Sequence, residues 1–182
     1  MFYDLSCNIP LTDADISGRH NLVGDQLGLR VAAALHESAH LVAAAACRKT
    51  CISALTIGSP TLKDGGKGFF DSLELWPDHT SFVTLVGYAW EEAYGDIKYA
   101  WSDYERGFNP HHPEILDDAR AFVSANSDLI LRVAKTVLRV IPKHGRFEGF
   151  LLALLVKELR ENFVKPYVSG YVTGKLDHAV EY

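Results

Sequence analysis

At 182 residues, with 48% hydrophobic and 23% charged side chains, the chain has the size and composition of one folded domain, which excludes an intrinsically disordered protein. A formal net charge of −5 leaves no basic stripe to neutralise phosphates, so nucleic acid is excluded as the expected partner. Cys7, Cys47 and Cys51 form no even disulfide framework, the N-terminus lacks a basic segment leading into an apolar one, and the longest apolar runs (41–47 and 149–156) fall far short of the roughly 20 residues that span a bilayer; the expectation is a cytoplasmic protein with no membrane span.

In chain order, residues 1–22 read as an N-terminal extension of a single domain covering 1–182. From about Gln26 to Arg48 the chain has no proline and is dense in Ala and Leu, which lose least entropy in a helix, so a long helix is predicted there. Alternating apolar and polar residues in 51–60 and 67–75, around the turn-prone Lys63-Asp64-Gly65-Gly66, predict a β-hairpin or small sheet. That Gly-rich turn lacks the downstream Lys-Ser/Thr of a phosphate loop and is read as turn chemistry. Asp78 is placed to cap a second helix carrying Phe82, Val86, Ala89 and Ala93 at helical spacing, with Gly95 as its left-handed end. Pro110 and Pro113 make 107–113 a loop. Helical periodicity returns in 115–125, 127–140 and 147–164, with breaks at Asn126 and at the turn 141–145. The segment 166–182 is a C-terminal tail, read as a strand or a loosely docked end. The predicted fold is therefore mainly α: a helical bundle with a small β-hairpin or sheet inserted after its first long helix.

Within that first helix, His36-Glu37-Ser38-Ala39-His40 sets two imidazoles four residues apart, on one face and about one turn from each other, where they can share a tetrahedral zinc ion. Glu37, beside the first histidine, is placed to reach a water on the metal rather than the metal itself, and so to act as general base. The apolar flanks 31–35 and 41–46 predict a buried helix, in which His and Glu need partners. Two histidines make a weak site, so a third protein ligand is expected, with acidic candidates in Glu91, Glu92, Asp96 and Asp103. One of Glu91 and Glu92 could instead hold the second ring nitrogen of a ligand histidine. His111 and His112, between prolines, read as solvated, and His20, His79, His144 and His178 rank lower still. Cys47 and Cys51, three apart, lack the second pair of a structural zinc site and read as small apolar side chains.

The segment 35–45, LHESAHLVAAA, resembles the zinc motif of the peptidase domain of the FtsH family of AAA+ zinc proteases. The likeness continues in Gly87 to Gly95, which matches that family's Gly-x-x-x-Glu-Glu signature, and covers roughly residues 28–160. The resemblance implies Asp103 as third metal ligand beside His36 and His40, Zn2+ as cofactor and Glu37 as the catalytic base of a metalloendopeptidase. It also implies a polypeptide substrate held along a strand edge; since the ATPase module has no counterpart here, the domain would cleave only flexible peptides, act with a separate ATPase or unfoldase, or be a regulated protease of one partner, and the rings of that family leave a homo-oligomer open. The competing reading is a non-catalytic binding or regulatory protein that keeps zinc as a structural element. Glu37 argues against it, because a structural site needs no base.

Overall fold

The computed structural model describes residues 25–47, 51–57, 72–76, 80–97, 100–140 and 146–167, together with Thr12 and Ile16. The expected extension 1–22 (apart from those two residues), the Lys63–Gly66 turn, Asp78 and the tail beyond 167 lie outside the described residues, as do His20, His79, His144, His178 and Cys7.

The chain is mainly helical, with a small antiparallel sheet. In order it forms α1 (Asp25–Ala46), β1 (Cys51–Thr56), β2 (Ser72–Trp76), α2 (Thr80–Tyr94), α3 (Trp101–Gly107), α4 (Glu114–Val140), β3 (Arg146–Glu148) and α5 (Gly149–Glu158), which runs into a wider π-type turn over Leu159–Phe163. Helix α1 packs against α4 and α2, α2 also packs on α4 and α3, and the sheet lies against α1 and α5. Among the described residues no helix is long and apolar enough to cross a membrane.

The small side chains of α1 explain its central place. Ala34, Ala39 and every residue from Leu41 to Ala46 are fully buried, so neighbouring elements approach it from nearly all sides. Its last carbonyls, which no helical N–H can reach, are met from the far end of the chain. Arg160 Nε donates to Ala45 O at 3.3 Å and Arg160 Nη2 to Cys47 O at 3.5 Å, while the Tyr167 backbone N–H donates to Ala46 O at 3.0 Å. Tyr167 also stacks on Phe82 of α2, rings 3.5 Å apart, and its hydroxyl donates to Asp118 Oδ2 of α4 at 2.9 Å.

Three expectations are corrected. The helices expected at 115–125 and 127–140 are one 27-residue helix, because the Asn126 amide donates to Phe122 O at 2.8 Å and stays within the helical bonding pattern instead of ending it. Residues 146–148 are a strand, not the start of the last helix: β3 pairs with β1 in the register Ala54↔Glu148, Leu55↔Phe147, Thr56↔Arg146, and Gly149, at φ 70°, turns the chain from strand into α5. The sheet therefore has three strands in the order β2-β1-β3, with Cys51↔Trp76 and Thr56↔Ser72 at the ends of the β1–β2 ladder. Gly95 is not a left-handed cap, since Gly149 alone among the described glycines has positive φ. The Glu91 side chain folds back over Gly95, where a Cβ would meet its carboxylate, and accepts the Asp96 N–H on Oε2 at 2.9 Å.

Candidate metal centre

Each histidine of α1 is oriented by a different element. His40 Nδ1 lies 2.7 Å from Val83 O of α2. A carbonyl can only accept, so Nδ1 donates to it, and Nε2 is the nitrogen turned toward the site. Gly87, one turn beyond Val83, makes this possible: a Cβ there would overlap the His40 ring at Cε1 and Nε2. The approach of α2 to α1 at this level therefore requires a residue without a side chain. His36 Nδ1 faces Glu91 Oε1 at 3.4 Å, a charge contact longer than a hydrogen bond, which directs His36 Nε2 to the same point.

Helix α3 supplies the third group. Its first turn is closed by bonds from the Asp103 and Tyr104 N–H groups to Ala100 O at 3.0 and 3.1 Å, and Asp103 is buried against α1. Asp103 Oδ2 lies 3.0 Å from His36 Nε2 and 3.2 Å from His40 Nε2, and the two nitrogens are 3.0 Å apart. Glu37, 4% exposed, sits beside this triangle, and His36, Glu37 and His40 each bring a ligand-capable atom within 4.8 Å of the others.

Three electron-rich atoms so close repel one another unless positive charge sits among them. Four ligands held about 2.0 Å from a tetrahedral zinc ion are about 3.3 Å apart, close to these edges. Two imidazole nitrogens and a carboxylate oxygen are also the donor types of catalytic zinc sites. The residues present therefore fit such an ion. Without one, protons supply the charge. Burial alone would lower the His36 pKa, but the carboxylates of Asp103 and Glu91 that face its two nitrogens, with the charge of Glu37, outweigh it and raise the value to about 10. Asp103 shows the converse: burial would raise its carboxyl, yet the two imidazoles hold it well below the usual carboxylate range.

The structure thus brings together His36, Glu37, His40 and Asp103, and separates the other candidates from them. Glu91 is buried but stands behind His36, on the Nδ1 side. Glu92 turns outward to α4, where Arg120 grips both its oxygens at 2.7 and 2.8 Å and lowers its pKa. Asp96 is exposed, and so is His111; His112 pairs with Glu114 at 3.3 Å. Cys47 is a free, buried thiol whose pKa burial pushes up to about 11.

Two contributors escaped the sequence reading as contributors. The Val83 carbonyl has no sequence signal. Arg106, whose Nη2 donates to Asp103 Oδ1 at 2.6 Å, had one, since an acid and a base three residues apart on a helix meet. Comparison with protein-family models, with curated proteins and with solved structures finds no match for this chain.

Proposed function

We propose that the chain is a zinc-dependent endopeptidase, with His36, His40 and Asp103 holding the metal and Glu37 acting as general base. The observation that carries this reading is the buried triangle of His36 Nε2, His40 Nε2 and Asp103 Oδ2, with edges of 3.0 to 3.2 Å, beside a buried carboxylate that is not one of its corners. The same residues, with Gly87 and Glu91, carry the resemblance to the FtsH peptidase domain.

A zinc ion bound there supplies Lewis acidity, which makes a water easier to deprotonate and a scissile carbonyl easier to attack. Glu37 takes the proton from the attacking water and afterwards delivers it to the departing amine nitrogen. Glu91 and the Val83 carbonyl keep the imidazole Nε2 atoms turned inward throughout. Because β1 is flanked by both β2 and β3, the outer edges of those two strands are the places among the described residues for an extended polypeptide to pair through its backbone. Such pairing reads little sequence, which suits a cytoplasmic enzyme taking flexible segments or chains unfolded by a separate ATPase. A ring of identical chains, as in the FtsH family, would suit the same use.

The test is elemental analysis of the purified chain beside His40→Ala and Asp103→Ala, with cleavage of a flexible peptide by the wild type and by Glu37→Gln. The reading expects one zinc per chain, lost in the first two variants, and cleavage abolished in Glu37→Gln with its metal retained. A wild type that takes up no zinc refutes it. Zinc held without any cleavage would point instead to a zinc-stabilised binding protein.

A further inference from the structure

The two oxygens of Asp103 have different partners. Oδ2 faces the Nε2 atoms of His36 and His40, at 3.0 and 3.2 Å, whereas Oδ1 accepts a hydrogen bond from Arg106 Nη2 at 2.6 Å. Arg106 is itself fixed, because its Nε donates to the Ser102 carbonyl at 3.1 Å; the guanidinium is therefore pinned at two points of α3. The Asp103 side chain is 7% exposed and that of Arg106 71%, so the pair lies at the solvent boundary of the site.

With the Arg106 side chain 71% exposed, solvent screens much of this pair, so its contribution to stability is modest. What this one controls is which carboxylate oxygen is free. A carboxylate can meet a metal through one oxygen or both, and a catalytic site must keep a position for water and substrate. We infer that Arg106 is a positioning residue: by occupying Oδ1 it restricts Asp103 to a single ligating oxygen and preserves the position at which the reaction takes place. The inference rests on the zinc site proposed above. It gives Asp103 what Glu91 and the Val83 carbonyl give the histidines, a partner for the ligand's other polar atom. Arg106 differs from those partners in being exposed, so replacing it leaves no internal cavity and the variants should fold.

The test loads the full chain with cobalt(II) in place of zinc and compares the wild type with Arg106→Met, which keeps the aliphatic stem, and Arg106→Lys, which restores a donor. Cobalt's visible absorption weakens severalfold when a four-coordinate ion gains a fifth ligand, which gives a readout independent of catalysis. Arg106→Met should bind one cobalt per chain with bands weaker than those of the wild type, and Arg106→Lys should recover much of their intensity. In the zinc form, Arg106→Met should lower kcat by about 10-fold or more with KM little changed. If Arg106→Met keeps the wild-type spectrum and kcat while binding metal fully, Arg106 does not position Asp103, and the zinc site stands without it. If the wild type takes up neither cobalt nor zinc, the metal reading fails and this inference falls with it.

Discussion

Replacing Gly87 with alanine opposes two physical effects at one residue. Gly87 lies inside α2, where alanine is favoured over glycine by about 1 kcal/mol, so helix propensity alone predicts a more stable protein. The structure predicts otherwise for the site. The new methyl group would overlap His40 at Cε1 and Nε2 and stand 3.0 Å from Nδ1. The ring cannot slide aside, because Nδ1 is tied to Val83 O at 2.7 Å and the His36 ring packs against it edge-on, with centroids 4.7 Å apart. It must swing out, which forfeits a hydrogen bond of about 1 kcal/mol and removes His40 Nε2 from the triangle. Losing an orienting partner alone lowers metal affinity about 10- to 100-fold, and displacing a ligand costs at least as much, so Gly87→Ala should weaken zinc binding by about 100-fold or more. The metal-free fold should lose about 1 to 3 kcal/mol, since the propensity gain is offset by the lost hydrogen bond and the overpacking cost remains. The assay is competition for zinc against a chelator of known affinity, with urea unfolding of the metal-free protein alongside. Gly28→Ala is the control: nothing lies within 4 Å of its would-be Cβ in α1, so it should gain stability and leave zinc affinity alone. Zinc binding by Gly87→Ala within about threefold of wild type would refute the account of His40.

Zinc uptake should release protons. His36 in the metal-free protein titrates near 10 against an ordinary 6.5, so it is charged at pH 8 and must lose its proton to bind metal. Calorimetry at pH 8 in buffers of differing ionisation enthalpy should report at least one proton released per zinc; none would contradict the triangle. The same shift gives the metal-free protein stability that is fully present below pH 6.5 and lost as pH rises through 10, a decline that the zinc-loaded protein should not share. At the other end of α1, Tyr167→Phe should cost about 1 kcal/mol for the lost bond to Asp118, and Tyr167→Ala about 2 to 4 kcal/mol, because the stack on Phe82 goes as well. Equal unfolding free energies for the two variants would show that the stack contributes nothing.

What the sequence revealed divides by the range of the interaction involved. The helix around His36 and His40 was readable because alanine content and a four-residue spacing are local facts, and so was the small sheet, from alternation on either side of a glycine turn. The third corner of the triangle was not readable from residues alone. Glu91, Glu92 and Asp103 are equally acidic, and only the packing of α2 and α3 on α1 turns one behind His36, one toward Arg120 and one between the histidines. Asn126 misled because its usual preference for helix ends yields when the amide can bond back to Phe122. Arg146 to Glu148 misled because a three-residue strand is made by its partner: the apolar spacing that suggested helix from Phe147 carries no trace of Leu55 across the sheet. Gly95 and Gly87 show how glycine hides its purpose. One reads as a cap and the other only as a letter of a family signature, and both make room for a polar side chain of the site, Glu91 at Gly95 and His40 at Gly87.

The C-terminus of α1 has a consequence for the order of assembly. The guanidinium that closes it lies 113 to 115 positions downstream of the carbonyls it meets. At ribosomal speeds of about 5 to 20 residues per second, a newly made motif helix waits on the order of ten seconds for that group to be synthesised. Through that interval α2 and α4, which are made earlier, can cover the sides of α1, while its last carbonyls wait for the guanidinium that meets them. Asp103 is translated well before Arg160, so the groups that could take up metal exist before the helix presenting two of them is closed. The end of the motif helix is thus closed only after residues 160–167 have been made.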